Sequence, residues 1–115
     1  MAYVMIVQLP VTGAYGSDED FDLRTQLERD LASALARARA GEVARGEIDG
    51  GRMSVVLESF TDVDFTLGVV KDVLARLKQL HRATVVLETN CEADPDDVDR
   101  ETLWPIRHTS PVRIG

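Results

Sequence analysis

The apolar positions of residues 3–9, YVMIVQL, fall on both alternating faces apart from Gln8, as in a central strand covered at least in part on both sides. Pro10 closes the run and VTGAYG follows as a loop. Ser17 and Asp20 then make a capping-box-like pair, in which the serine oxygen accepts from an orphan amide, so a helix is predicted to start there. Phe21, Leu27, Leu31, Leu35 and Ala38, with Leu23 and Ala34 beside them, recur at helical steps. Arg24, Glu28, Arg29 and Arg37 fall largely outside that stripe, and Gly41 is the expected left-handed stop.

Residues 42–48 read as a weaker strand, interrupted by Gly46, which suits a bulged edge position. Asp49, Gly50 and Gly51 supply residues able to adopt positive φ, and residues 53–60 have the composition of a hairpin's second arm. Thr61 and Asp64 repeat the capping-box spacing. Phe65, Val69, Val73, Leu77 and Leu80, joined by Val70 and Leu74, form a second amphipathic stripe that closes near His81 and Arg82, and residues 83–89 are a last strand. The order β-α-β-β-α-β predicts an α+β, ferredoxin-like sandwich over residues 1–90, with an antiparallel sheet in the order 4-1-3-2. That order places the two most apolar strands, the first and third, in the middle.

Residues 91–115 form an extension that this fold does not require. Asp94, Pro95, Asp96 and Asp97 match an N-cap, a proline at the first helical position and acids in the first turn, so a short helix to about Leu103 is expected. Pro105 disfavours helix at Trp104, and the remaining tail is expected to be extended. Its Trp104, Ile106, Val112 and Ile114 need an apolar seat, on the domain or on a second subunit. The third strand raises the same demand: Met53, Val55 and Leu57 share one face, but the other holds Val56 and Phe60 beside Ser54 and Glu58, and helices cover only one side.

Charge narrows the partners. The chain of 115 residues has a formal net charge of −7, which disfavours nucleic acid and anionic membrane surfaces, whose affinity comes from clustered Lys and Arg. The acids concentrate at Asp18, Glu19, Asp20 and Asp22 and at Glu92, Asp94, Asp96, Asp97, Asp99 and Glu101, patches that would attract a basic protein. Cys91 is the only cysteine, so no intramolecular disulfide forms and a cytoplasmic setting is expected. The apolar run at residues 1–9 is about half the length needed to span a membrane and lacks the marks of a leader.

No catalytic set, metal or cofactor is expected. EADPDDVDRE lacks the sixth-position glycine of an EF-hand loop, and helix capping accounts for its acids. VTGAYG lacks the lysine of a phosphate-binding loop and leads into acids that repel an anion. RNA recognition on this fold uses exposed aromatics on the central strands, which are missing. Cys91 stands in no recognised motif with His81 or His108, and Glu92 beside it opposes a thiolate. Glu42, Glu47, Asp49, Glu58 and Glu88 lie on or beside strands, where Glu47 and Asp49 share a side, as ordinary edge residues also do.

Residues 41–89, with Gly46, Glu47 and Gly50 in a glycine-and-acid strand followed by an apolar strand, an amphipathic helix and a final strand, resemble a loose group of small bacterial proteins. That group is ferredoxin-like in appearance, and some members resemble immunity proteins that neutralise bacterial toxins. The chain departs from it at Asp49-Gly50-Gly51 and in its acidic extension. The resemblance implies a non-enzymatic interaction domain, an inhibitor of a basic toxin. Together with the acid patches it makes Glu47, Asp49, Asp94, Asp96, Asp97 and Asp99 the candidate contact residues. The alternative reading is a homodimeric small-molecule-binding or enzymatic domain that uses the open sheet face.

Overall fold

The computed structural model describes residues 2–13, 16–91 and 94–105. Strand β1 (Ala2–Pro10) leads into helix α1 (Asp18–Ala38), then strands β2 (Glu42–Asp49) and β3 (Arg52–Glu58), helix α2 (Val63–Arg76), a single 3₁₀ turn (Leu80–Arg82), and strands β4 (Thr84–Cys91) and β5 (Asp94–Trp104). All strand pairs are antiparallel, and the five form one sheet in the order β2-β3-β1-β4-β5. This is not the four-stranded 4-1-3-2 sheet expected: the chain adds a strand beyond β4, so that β4 becomes interior and β5 takes the edge.

The expected helix over 94–103 is therefore absent, and β5 stands in its place. The helix signal at Asp94-Pro95 was local, whereas β4 offers an open ladder along its full length, and Asn90↔Val98, Glu88↔Arg100 and Val86↔Thr102 close it. The proline does not oppose this, because edge strands tolerate a residue without an amide hydrogen. Leu103 and Trp104 then anchor the strand against the core.

One face of the sheet carries the core. Met5, Val7 and Leu9 of β1, Met53, Val55 and Leu57 of β3, and Val85 and Leu87 of β4 meet Leu27, Leu31 and Leu35 of α1 and Val70, Val73 and Leu74 of α2. Phe21 and Phe65, placed on the apolar stripes by spacing, are instead about half exposed, at 45% and 51%, because each lies in the first helical turn beyond the sheet's cover. The seat on α2 is taken partly by Thr66, 1% exposed, whose hydroxyl donates to the Ala40 carbonyl at 2.7 Å. A buried hydroxyl is tolerable there because it is paired.

Ser17 caps α1, with the reciprocal capping box to Asp20 complete. The left-handed residue ending that helix is Arg39 (φ 54°), not Gly41, and α2 is capped by Asp62 donating nothing and accepting from the Phe65 amide, not by Thr61. Asp20 does more than cap. Its Oδ2 accepts from the Thr12 and Ser17 amides, both at 2.9 Å, and from the Ser17 hydroxyl at 3.0 Å. The Thr12 amide above all, then the Ser17 amide and hydroxyl and the Arg82 charge, hold its carboxyl below the usual value against a smaller opposing effect of desolvation.

A folded-state pKa below the unfolded one gives stability that is present above the unfolded pKa and is lost as pH falls through the folded one. Asp20→Asn should therefore lower stability at neutral pH and flatten the decline below about pH 4, the ordinary carboxylate range. Urea titrations of both proteins across that range measure it. Parallel acid limbs would show that the contacts of Thr12 and Ser17 with this carboxylate contribute nothing to stability.

Candidate functional site

Strand alternation exposes a second sheet face that no described element covers. In rows across the strands it carries Arg45, Val56, Ile6, Val86 and Thr102, then Glu47, Ser54, Gln8 and Thr84. Val56 is 4% exposed, while Val4, Ile6 and Val86 are half-buried. Shallow concavities of about 480 and 300 Å³ lie on this face, sharing Gln8, Arg52, Val86 and Thr102 among their linings. Arg82 reaches the first of them from the 3₁₀ turn, held by bonds from its guanidinium to the Pro10 carbonyl and to Gln79 Oε1, both at 2.9 Å. Arg100 borders the second and pairs with Glu88 at 2.8 Å.

The candidate acids do not converge. Glu47 is exposed on β2 opposite Ser54, and Asp49 stands opposite Arg52 as the last pair before the hairpin turn. Asp94 lies opposite Cys91 and Asp99 opposite Thr89, with Asp96 and Asp97 between them where the register of β5 shifts. The two groups thus occupy opposite edges of the sheet, four strand spacings or roughly 19 Å apart. The acids of β5 sit on an edge whose outer ladder is paired with no described strand. Charged side chains, a proline and a register shift are the usual means by which an edge discourages indiscriminate pairing.

The stretch GEIDGG resolves into the end of β2 and its turn. Gly50 and Gly51 both have positive φ (60° and 81°), the requirement of a two-residue type I′ hairpin turn. The expected irregularity in β2 lies at Val43/Arg45 instead of at Gly46. Gly46 sits where α1 crosses β2: a Cβ there would lie 2.5 Å from Glu28 Oε1, so the flexible Glu28 carboxylate would have to move aside, and the Arg24 guanidinium donates to the Gly46 carbonyl at 3.2 Å.

The other acids and candidate nucleophiles also separate. Glu42 and Glu58 face each other across β2 and β3, with Ser59 Oγ donating to Glu42 at 2.8 Å. Cys91 ends β4, whereas His81 lies in the 3₁₀ turn before that strand begins, roughly 25 Å away by strand rise. His108 and Ile106 fall outside the described residues. Trp104, expected to find an apolar seat on the domain or on a second subunit, packs on the helix side of the domain: its Nε1 donates to the Leu80 carbonyl at 3.0 Å and the Lys71 ammonium sits 4.3 Å from its ring centre. Among the described residues no group of three His, Cys, Asp or Glu side chains is placed to hold a metal ion.

Among the described residues no helix is long and apolar enough to cross a membrane. Neither a family model, nor a curated protein, nor a solved structure matches the chain.

Proposed function

We propose that the chain is a non-enzymatic protein-interaction domain of ferredoxin-like type, extended by one strand, which offers its acidic sheet edge to a basic protein. The specific form is inhibition, in the manner of an immunity protein blocking a basic bacterial toxin in the cytoplasm. The observation that carries the reading is the placement of the run from Asp94 to Glu101 along β5, the outermost strand. An edge strand offers unpaired backbone groups, and its acids select a partner segment of opposite charge, as in recognition by strand addition. The separation of Cys91 from His81, and of Glu47 and Asp49 from the acids of β5, supports binding over catalysis.

The test is affinity capture with three baits, the native chain, Asp96→Lys/Asp97→Lys and Glu47→Lys/Asp49→Lys, at low and high salt. Long-range attraction between charged surfaces is screened over about 8 Å at physiological ionic strength, so a partner held this way is released by salt. A stoichiometric basic protein should bind the native bait, bind the β5 variant at least about tenfold more weakly, and bind the β2 variant nearly normally. Equal affinity for all three baits would remove β5 as the contact surface.

A further inference from the structure

The open face has a property that charge counting along the chain conceals. Gly46, Val55, Val7 and Val85 are register partners in one line across β2, β3, β1 and β4. A two-fold axis laid over that line, in the plane between two copies stacked face to face, carries each strand onto its own counterpart in reverse direction. On β3 it sets Glu58 against Arg52, each three residues from Val55. Beside β4 it brings Glu88 toward the end of the face where Arg82, in the 3₁₀ turn before the strand, reaches the Pro10 carbonyl. On β2 it sets Arg45 against Glu47, each one from Gly46. Three of the four charged pairings bring opposite charges together; the fourth, at the outer ends of the same rows on β2, sets Asp49 against Glu42 and opposes the contact.

The uncharged positions fit the same operation. Ile6, Val56 and Val86 are brought onto the rows of Gln8, Ser54 and Thr84, giving a central belt of aliphatic and small polar groups with charges at both ends. Arg52, Arg45, Glu47 and Glu58 are exposed, and Glu88 is paired with Arg100 at 2.8 Å. We propose that the open face is a self-complementary surface and that its occupant is a second copy of this chain, related by that two-fold. An isologous contact uses each complementary pair twice, so one favourable pairing in the sequence counts double in the dimer.

Five strands and about seven residues along each give a face of roughly 450 Å² in plan on each copy, about 900 Å² in all, below the standard size of specific interfaces, so the dimer is a weak, transient one with an expected dissociation constant of micromolar order. This surface is separate from the outer edge of β5, and the inference does not depend on the proposed partner.

Charge exchange tests the symmetry itself. Glu58→Arg places arginines at both 58 and 52, and Arg52→Glu places acids at both. Each variant alone meets like charges twice, so sedimentation of either should show dissociation constants raised at least about tenfold over the native chain. An equimolar mixture of the two matches both of these pairs again and should restore a 1:1 dimer of native strength. Both sites are exposed, and circular dichroism confirms that each variant is folded. A native chain that stays monomeric to about 200 µM, well above micromolar dissociation constants, overturns the proposal. Single variants that dimerise like the native chain, or a mixture that does not regain dimer, overturn it equally.

Discussion

Leu57→Ala should destabilise the domain by about 3 to 4 kcal/mol, the range for emptying a leucine site that cannot collapse. Leu57 is 0% exposed and lies between register partners Met5 on β1 and Val43 on β2, beneath the helix layer. The surrounding strands are fixed by their ladders, so little relaxation fills the space. For a chain of this size a loss of that magnitude lowers the melting temperature by roughly 15 °C. Its neighbour Val56 is nearly as buried, at 4% exposed, but faces the open side, where water reaches the vacated volume. Val56→Ala should therefore cost about 1 kcal/mol. Thermal unfolding of both variants measures the contrast, and equal losses would mean that the two faces are covered alike in the monomer.

Gly41→Ala should cost about 3 kcal/mol, for two reasons that add. Gly41 has φ of 135°, a region closed to residues with a Cβ, where strain runs to about 1–3 kcal/mol. A Cβ would also stand 3.0 Å from the Glu58 carbonyl oxygen and 3.2 Å from the Phe60 Cβ. The carbonyl belongs to β3 beside its partner strand and has little freedom to withdraw. Gly50→Ala isolates the backbone component, because its φ of 60° is left-handed but nothing lies within 4 Å of the added carbon. That variant should lose only about 1 to 2 kcal/mol. Denaturant titrations with equal losses at the two positions would show that crowding against β3 contributes nothing.

Where periodicity and local chemistry agreed, the elements were legible. Leu27, Leu31 and Leu35 mark the buried stripe of α1, Ser17 and Asp20 mark its start, and Asp49-Gly50-Gly51 marks the hairpin. The misreadings have physical causes. Asp94-Pro95 carries genuine helix-start chemistry, but an unpaired β4 edge is a non-local demand that no window around residue 94 contains, and pairing wins. The left-handed stop passed to Arg39 because the helix ended two residues before the available glycine. Thr66 left no apolar signal, since its burial depends on the Ala40 carbonyl 26 residues away. Of the candidate contact residues, the alternation of Glu47 could be read from spacing, whereas the edge location of Asp94, Asp96, Asp97 and Asp99 could not. The charge symmetry about Gly46, Val55 and Val85 needed the strand register.

The functional reading rests on the acidic run being held as the outermost strand. Amide hydrogen exchange across residues 98–104, resolved by NMR, tests this most directly. An edge strand directs alternate amides toward β4 and the rest to solvent, so protection should alternate residue by residue. Continuous protection over several consecutive amides would signal the helix that Asp94 and Pro95 suggest, and uniformly fast exchange would mean that no stable strand forms there. Either result would withdraw β5 as the edge on which the proposed recognition depends.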